Sequence, residues 1–282
     1  GRVAVVTGGS RGIGRMIAEG FLAYGAARVY ITARKAAACN AAAAEMTALG
    51  GGECISIPCD LSTLEGIKIF GKALGEREKK IDILVNNAGA AWAADFDQFP
   101  ENGWDKVVDL NMKTPFFLAK ELAPLLRAGA SEKRPAKLIN IASIDGIFVN
   151  PMETYPYAAS KAGLIHLTRR MAARLIKDHI VVTAIAPGPF QSDMNIDARD
   201  NADTVAKRVP SGRIGLPEDM AGAAIFLASR AGDYVVGDSI AVDGGVHERT
   251  IGGGEKAGAQ GPGAGSAGVS APAGAGGHYP PV

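Results

Sequence analysis

The sequence is poor in cysteine, and its charges almost cancel. Three cysteines, Cys39, Cys54 and Cys59, stand among 282 residues, without the Cys–Cys or Cys–His spacing of a metal site. We therefore expect free thiols in a reducing compartment, with neither disulfides nor a bound metal. Thirty Lys and Arg against 29 Asp and Glu leave a net charge of +1. This balance gives no indication of a nucleic-acid partner or an acidic membrane surface.

Long apolar runs and a leader are also missing. No apolar stretch reaches the roughly 20 residues of a membrane-spanning helix, and no signal peptide precedes the first strand. The chain opens on that strand without an initiator methionine, so we expect upstream residues that the sequence does not include. A targeting segment among those upstream residues is the alternative. The expectation from the residues at hand is a cytoplasmic protein that does not enter a membrane.

One stretch differs from the rest in composition. Residues 252–282 are mostly Gly, Ala, Pro and Ser, with almost no large apolar side chain. Such a segment cannot bury enough surface to offset its ordering entropy. We predict one domain over residues 1–250 and a disordered Gly/Ala/Pro-rich tail over 251–282. A partner-binding segment that ends in the polyproline-like Tyr279-Pro280-Pro281 is the alternative.

A strand, a glycine-rich turn and a helix begin the domain. The apolar run 2–7 leads into Gly8-Gly9-Ser10-Arg11-Gly12-Ile13-Gly14, and apolar residues recur at helical spacing beyond it. In this context, glycines let the backbone approach a pyrophosphate, and the helix N-terminus supplies N–H donors. The spacing is GxxxGxG, and the commoner GxGxxG is not matched. A glycine-rich turn without a ligand therefore stays possible.

Strand and helix patterns then alternate to the end of the domain. Helical patterns at 36–49, 63–79 and 104–127 are interleaved with strand patterns at 28–32, 54–58, 83–85, 137–141 and 181–186. A helix at 217–229 and an edge strand at 239–242 follow. This alternation predicts a single α/β domain with a doubly wound, Rossmann-type parallel sheet between two helical layers.

The end of the second strand favours NADP(H) over NAD(H). An NAD site needs Asp or Glu near this point, for the ribose 2′-hydroxyl, whereas the sequence has Arg34 there and Arg11 in the glycine turn. Two guanidiniums suit a 2′-phosphate. Asp60 and the turn Asn86–Gly89 follow the next two strands. We expect them at the adenine and its neighbouring backbone, because ligands lie at the carboxyl ends of parallel strands.

Tyr157 and Lys161 carry the predicted chemistry. Four positions apart, they lie one turn from each other on a helix. The ammonium favours the phenolate and lowers the pKa of Tyr157, so the phenol can exchange a proton with a substrate oxygen near neutral pH. Ser143 follows the strand at 137–141 and reaches the same edge. An incidental Tyr/Lys pair on a solvated face is the alternative for an isolated motif.

Asn111 is either a structural amide bonded to backbone or a water-holding link to Lys161 in a proton relay.

These residues together resemble the classical short-chain dehydrogenase/reductases over about residues 1–247. The motifs that carry the resemblance are Thr7-Gly8 with Gly12-Ile13-Gly14, Asn86-Asn87-Ala88-Gly89, Ser143, Tyr157 with Lys161, Pro187-Gly188 and Asp243-Gly244-Gly245. Within the family, the stretches around Trp92, Gly103–Lys106 and Pro135–Asn140 look most like 3-oxoacyl-(acyl-carrier-protein) reductases of the rhamnolipid type. The interval from Ser143 to Tyr157 is about one residue longer than usual.

The resemblance implies a Rossmann fold, bound NADP(H) and a catalytic tetrad. Tyr157 would be the acid/base and Lys161 would bind the nicotinamide ribose. Ser143 would orient the substrate carbonyl and Asn111 would support the relay. Ser192 would replace a threonine at the carboxamide. The implied cofactor-binding residues are Gly8, Ser10, Arg11, Gly12, Ile13, Gly14, Arg34, Asp60, Leu61, Asn87, Ala88, Gly89, Tyr157, Lys161, Pro187, Gly188, Phe190 and Ser192.

The substrate is expected among three loops, 90–100, 144–155 and 189–212, the last of them a mobile lid. Their side chains Trp92, Ile147, Phe148 and Met194 favour an apolar substrate, although packing of the lid on the body would explain them equally well. A basic rim would suit an acidic carrier protein, unless it is an ordinary solvated face; it comprises Arg127, Lys133, Arg134, Arg169, Arg170 and Arg174.

The predicted function is the NADPH-dependent reduction of a ketone. The expected substrate is a 3-oxoacyl thioester, on coenzyme A or an acyl carrier protein, or a similar apolar ketone. A dehydrogenase of secondary alcohols, sugars or steroids on the same scaffold is the enzymatic alternative. A nucleotide-sensing binding protein is the non-enzymatic one, but it would be expected to have lost Ser143, Tyr157 or Lys161. The resemblance also implies a homotetramer or homodimer.

Overall fold

A computed structural model describes residues 1–248, and the predicted tail at 251–282 lies outside the described residues. Across residues 1–248, seven parallel strands form one sheet in the order β3-β2-β1-β4-β5-β6-β7. The strands are β1 (Arg2–Thr7), β2 (Ala26–Thr32), β3 (Glu53–Ser56), β4 (Ile83–Asn86), β5 (Ala136–Ile141), β6 (Ile180–Pro187) and β7 (Ser239–Val242). The strand order reverses between β1 and β4. A crevice for ligands therefore opens at the carboxyl ends of these two strands.

Helices cover both faces of the sheet. They are α1 (Gly12–Ala23), α2 (Ala36–Ala48), α3 (Leu64–Arg77), α4 (Glu101–Val108), α5 (Thr114–Gly129), α6 (Tyr155–Leu175), α7 (Ile196–Asp200), α8 (Ala202–Ala206) and α9 (Pro217–Ala228). One apolar cluster joins the sheet to α1, α2 and α9. A second joins the opposite face to α3, α5 and α6. The predicted three-layer Rossmann fold is confirmed.

The apolar runs in the strands follow from burial on both faces. In β1, Ala4 and Val6 belong to one cluster, whereas Val3 and Val5 belong to the other. Successive side chains of a strand point to opposite faces, so a strand covered by helices on both sides needs apolar residues at every position.

The helix predicted over 104–127 is not continuous. It begins at Glu101, and a π-helical turn at Asp109–Lys113 separates α4 from α5. In a regular α-helix the carbonyl of Asn111 would accept the N–H of residue 115, but that residue is Pro115, which has none. Local π-helical turns are frequent at functional sites, and this one contains Asn111.

The cysteines are free and two of them are buried. Burial raises the pKa of the Cys54 thiol to about 12. Residues 1–248 contain no helix with the length and apolarity to cross a membrane. The same residues contain no group of three His, Cys, Asp or Glu side chains arranged to hold a metal ion.

Candidate active site

Two neighbouring cavities lie at the carboxyl edge of the sheet. The larger has a volume of about 280 Å³, and the predicted residues on its wall are Arg11, Gly12, Ile13, Asn87, Gly89, Ser143, Phe148, Tyr157, Lys161, Pro187, Gly188, Phe190, Ser192 and Met194. The smaller has a volume of about 60 Å³ and is lined in part by Gly8, Arg34, Asp60, Leu61 and Ala88. Most of the residues predicted from distant parts of the sequence thus meet at one crevice.

The glycine turn brings the backbone to the larger cavity. Gly8 and Gly12 have φ angles of 64° and 54°, in the left-handed region that other residues rarely adopt. Helix α1 begins at Gly12 without a side-chain cap, so its first N–H groups are available to an anion. Ser10 and Gly14 are not among the described wall residues of either cavity. A Cβ on Gly14 would lie 2.4 Å from the Gly8 carbonyl oxygen, so this glycine serves close packing beneath the turn.

The smaller cavity has two cations in its wall. Arg34 follows β2, as predicted, and Lys106 of α4 is the second. Lys106 Nζ also lies 5.2 Å from the centroid of the Trp92 ring. Sequence reasoning missed Lys106, because its position on α4 says nothing about its distance from the ends of β2 and β3. The two cations make this end of the crevice suitable for a phosphate-bearing nucleoside.

Ser143, Tyr157 and Lys161 meet in the wall of the larger cavity. Ser143 follows β5, and its hydroxyl is hydrogen-bonded to the Tyr157 phenol. Pro156 lies in the first turn of α6. Proline is tolerated there because the N–H groups of a first turn have no acceptor within the helix. Tyr157 and Lys161 consequently lie one turn apart, with Lys161 Nζ 5.5 Å from the centroid of the Tyr157 ring. A hydroxyl, a phenol and an ammonium therefore face a single space.

The predicted lowering of the Tyr157 pKa is wrong for this structure. Burial raises the pKa of Tyr157 to about 12, and the hydrogen bond with Ser143 opposes the shift only in part. Lys161 is buried and donates to the carbonyl oxygen of Ile141 at 2.8 Å. Its own pKa is lowered to about 8 by desolvation. Desolvation is the largest cause of this raised pKa, so Tyr157 is a protonated acid at neutral pH.

Asn111 makes the backbone contacts of a structural amide. Its Nδ2 donates to the Ala90 carbonyl oxygen at 2.9 Å, and its Oδ1 accepts the Ala90 N–H at 2.8 Å. Nδ2 also donates to Ser160 Oγ at 3.1 Å. These bonds attach the π-helical turn to the segment after β4, beside the turn of α6 that carries Lys161. Of the two interpretations of its side chain, the structural one has contacts to support it.

Asp145 is a charged wall residue that sequence reasoning missed. It lies in a 3-10 turn, Ile144–Gly146, directly after Ser143, and lines the larger cavity. Burial raises its pKa, whereas Asn150 and the charge of Lys161 favour the ionised carboxylate. The available signal was a carboxylate two residues beyond a hydroxyl at a strand end.

Two of the four predicted substrate residues lie elsewhere. Phe148 and Met194 line the larger cavity, together with Met152, Ile196 and Val246. Trp92 packs against Gly103 and in a cluster with Val107 and Leu110, outside this wall. Ile147, at the end of the 3-10 turn, is 46% exposed and is not among the described wall residues of the cavity.

The predicted basic rim does not surround this cavity within the chain. Arg174 lies near the end of α6, about 25 Å from Tyr157 at 1.5 Å per residue. Arg127 and Arg174 both form ion pairs with Asp178, and Arg134 pairs with Asp82. These arginines therefore lie toward the amino edge of the sheet, opposite the crevice.

The fold and the site define a Rossmann-type oxidoreductase scaffold. A family profile described as enoyl-(acyl carrier protein) reductase matches residues 8–247. The chain belongs to the short-chain dehydrogenase/reductase family.

Individual relatives cover almost the whole described chain. It is 46% identical over 250 residues to the rhamnolipids biosynthesis 3-oxoacyl-[acyl-carrier-protein] reductase of Pseudomonas aeruginosa, covering 88% of this chain and 96% of that protein. It is 39% identical over 250 residues to the 2-dehydro-3-deoxy-D-gluconate 5-dehydrogenase of Escherichia coli, covering 87% of this chain and 95% of that protein. Among solved structures, the Pseudomonas aeruginosa RhlG/NADP active-site complex matches with a TM-score of 0.83 at 46% identity, covering 88% and 96% of the two chains.

Proposed function

We propose that this protein is an NADPH-dependent ketoreductase whose substrates are 3-oxoacyl thioesters or similar neutral ketones. The observation that carries the proposal is the Tyr157 phenol, held protonated beside Ser143 in a cavity that continues to the glycine turn. The relatives named as a 3-oxoacyl reductase and as an NADP complex support the reaction and the cofactor.

The residues present fit NADPH. The uncapped start of α1 and the backbone at Gly12 suit a pyrophosphate. Arg34, with Lys106 nearby in the same wall, suits a 2′-phosphate. Gly188 has no room for a side chain, since a Cβ there would lie 2.5 Å from the Asp243 Cβ, and it lies beside the space for a nicotinamide. When bound, the cofactor supplies a hydride to the carbonyl carbon.

Each catalytic side chain has one task in this proposal. Ser143 donates a hydrogen bond to the substrate carbonyl and orients it. Tyr157 donates its proton to the same oxygen as charge develops there. Lys161 holds a positive charge near the phenolate that remains. Asn111 fixes the π-helical turn against Ala90, which positions the neighbouring turn of α6.

The wall composition supports a substrate with an apolar arm. Phe148, Met152, Met194, Ile196 and Val246 give one side of the cavity an apolar surface. Pockets for small molecules combine such a surface with a few polar groups that orient the reacting atoms. An acyl chain suits the apolar side, and coenzyme A or an acyl carrier protein would carry its thioester. The polar residues Asn150 and Asn195 on the same wall favour a sugar or polyol dehydrogenase as the second candidate.

Segment 189–212 acts as a lid over the cofactor in this proposal. It carries α7 and α8, and it reaches the glycine turn through an ion pair between Arg11 and Asp193. Asp193 also accepts from Arg199 at 3.0 Å. One carboxylate thereby connects the lid to the turn that would bind the pyrophosphate.

We further infer that the protein self-associates as a dimer or tetramer in the reducing cytoplasm. Exposed apolar side chains near the end of the domain support association, with Tyr234 99% exposed and Phe226 41% exposed. The free thiols support the compartment. Light scattering of the purified protein measures the mass, and a monomer at all concentrations would contradict the association.

Steady-state assays with matched substrates test the function. NADPH and NADH are each supplied with acetoacetyl-coenzyme A, ethyl acetoacetate, a cyclic ketone and a 5-keto sugar acid. We expect the largest kcat/KM with NADPH and the acetoacetyl thioester. Turnover of only the sugar acid, or only with NADH, would contradict the substrate or the cofactor assignment while leaving the family intact.

A further inference from the structure

The backbone of Asp145 is hydrogen-bonded to the hydroxyl of Ser143. Its main-chain N–H donates to Ser143 Oγ at 3.1 Å, and its side chain lines the cavity that contains Tyr157 and Lys161. The carboxylate interacts electrostatically with both of these residues. A group bound at Ser143 would therefore lie within the field of this carboxylate.

A neighbouring loop fixes the orientation of the carboxylate. Asn150 Nδ2 donates to Asp145 Oδ1 at 3.2 Å, and Asn150 Oδ1 in turn accepts the N–H of Met152 at 3.0 Å. Asn150 belongs to the loop between Ser143 and α6. This loop places an amide donor against Asp145 and gives the carboxylate a fixed direction.

The carboxylates of the wall outnumber its cations. Among the described wall residues, Arg11 and Lys161 are the Lys and Arg side chains, against the three carboxylates Asp145, Asp193 and Asp197. Arg11 forms its ion pair with Asp193, and Lys161 donates to the Ile141 carbonyl oxygen. The charge of Lys161 acts on Asp145 itself, so a substrate anion near the reacting carbonyl would meet a wall in which carboxylates outnumber cations.

We propose that Asp145, oriented by Asn150, is a specificity-determining residue that excludes ketones with a carboxylate close to the reacting carbonyl and thereby selects neutral esters and thioesters. The proposal rests on the ketoreductase function and narrows its substrate class. Free 3-oxo acids are rejected because two like charges in a desolvated cavity repel strongly, at an effective dielectric well below that of water. An ester or thioester of the same acid carries no such charge.

A matched pair of substrates isolates the charge. Ethyl acetoacetate and acetoacetate have the same ketone and differ in the charge at the neighbouring carboxyl carbon. The assay measures kcat/KM for each with NADPH, and the readout is their ratio. In the wild-type protein the ester is preferred. Asp145→Asn keeps the shape of the side chain and removes its charge. In this variant the ratio of kcat/KM for the ester to kcat/KM for the acid should fall about tenfold or more, because repulsion between charges a few ångströms apart has at least this effect.

Further variants separate charge from structure. Asp145→Ser is a second neutral variant, with NADPH binding and circular dichroism as checks of folding, and the same fall in the ratio is expected. Asp145→Glu keeps the charge and should retain the preference for the ester. Asp97→Asn makes the same charge change on the exposed loop outside the cavity and should leave the ratio unaltered.

The possible failures are distinguishable. If the wild-type protein reduces neither ethyl acetoacetate nor acetoacetyl-coenzyme A, the proposed function fails. If it reduces acetoacetate as efficiently as the ester, the role of Asp145 is refuted while the function stands. An unchanged ratio in folded Asp145→Asn and Asp145→Ser would refute the role as well.

Discussion

Lys161 Nζ lies 5.5 Å from the centroid of the Tyr157 ring, yet it donates its hydrogen bond to the carbonyl oxygen of Ile141, at 2.8 Å. The bond joins α6 to the last residue of β5, which precedes the segment carrying Ser143. The ammonium is therefore fixed by the sheet, and the phenol is fixed by the helix.

Tyr157→Phe should abolish most ketone reduction. Phenylalanine cannot donate a proton, and general acids contribute about 10²- to 10⁴-fold to rate. We expect kcat to fall by at least about 10²-fold, with NADPH binding retained in a fluorescence titration. Tyr155→Phe is the matched control, because Tyr155 is exposed and bonds to Glu153 at 2.9 Å. Equal rates for Tyr157→Phe and the wild type would remove Tyr157 from its assigned role.

The rate of reduction should fall as the pH rises through about 8, the pKa of Lys161. Below this pH the ammonium is charged and the phenol is protonated, so kcat/KM should be level. Above it Lys161 loses its charge, while Tyr157, with a pKa of about 12, remains an acid. Lys161→Arg keeps the charge at every accessible pH, so its profile should lack this inflection. If Lys161→Arg shows the same inflection, a group other than Lys161 is responsible for it.

Arg34→Ala should weaken the binding of NADPH and leave the binding of NADH almost unchanged. A charge-assisted hydrogen bond contributes about 1.5–3 kcal/mol, so the KM for NADPH should rise about tenfold or more, with little change for NADH. Lys35→Ala, at the exposed neighbouring position, is the control. Parallel increases in KM for both cofactors would show that Arg34 does not recognise the 2′-phosphate.

Asn111→Ala should destabilise the fold. It leaves the N–H and the carbonyl of Ala90 without their buried partners, which costs about 1–3 kcal/mol in the free energy of unfolding. Denaturant unfolding measures the change. Asn40→Ala removes an exposed amide that accepts from Ser56 at 2.7 Å, and it should change stability by less than about 0.5 kcal/mol. A catalytic loss in Asn111→Ala without any loss of stability would favour the relay interpretation.

Asp193→Ala should loosen the lid. Partly exposed ion pairs contribute up to about 1 kcal/mol, so tryptic cleavage within 189–212 should accelerate about two- to fivefold. Saturating NADPH should slow the cleavage of the wild-type protein. Asp203→Ala on α8 is the control, since it removes an exposed carboxylate from the same segment. A cleavage rate that changes neither in Asp193→Ala nor on addition of NADPH would argue against a lid.

Much of the site could be predicted because it depends on strand ends. Ser143, Asp60 and the turn at Asn87 each follow a strand, and parallel strands of one sheet end at the same edge. Spacing within α6 was equally informative, since positions four apart share a helical face. Asp145 was missed although it lies only two residues from Ser143, because its role depends on burial and on Asn150.

The alternation of strands and helices, the glycine turn and the Tyr157–Lys161 pair can be predicted from the residues alone, because they are local patterns of burial, backbone freedom and helical spacing. The pKa values, the place of Lys106, the π-helical turn at Asn111 and the position of Trp92 outside the cavity wall follow only from the folded chain. Each of these depends on contacts between segments far apart in the chain. The pKa of Tyr157 is the plainest case: spacing supplied a cation that should lower it, and desolvation by the surrounding fold raised it to about 12.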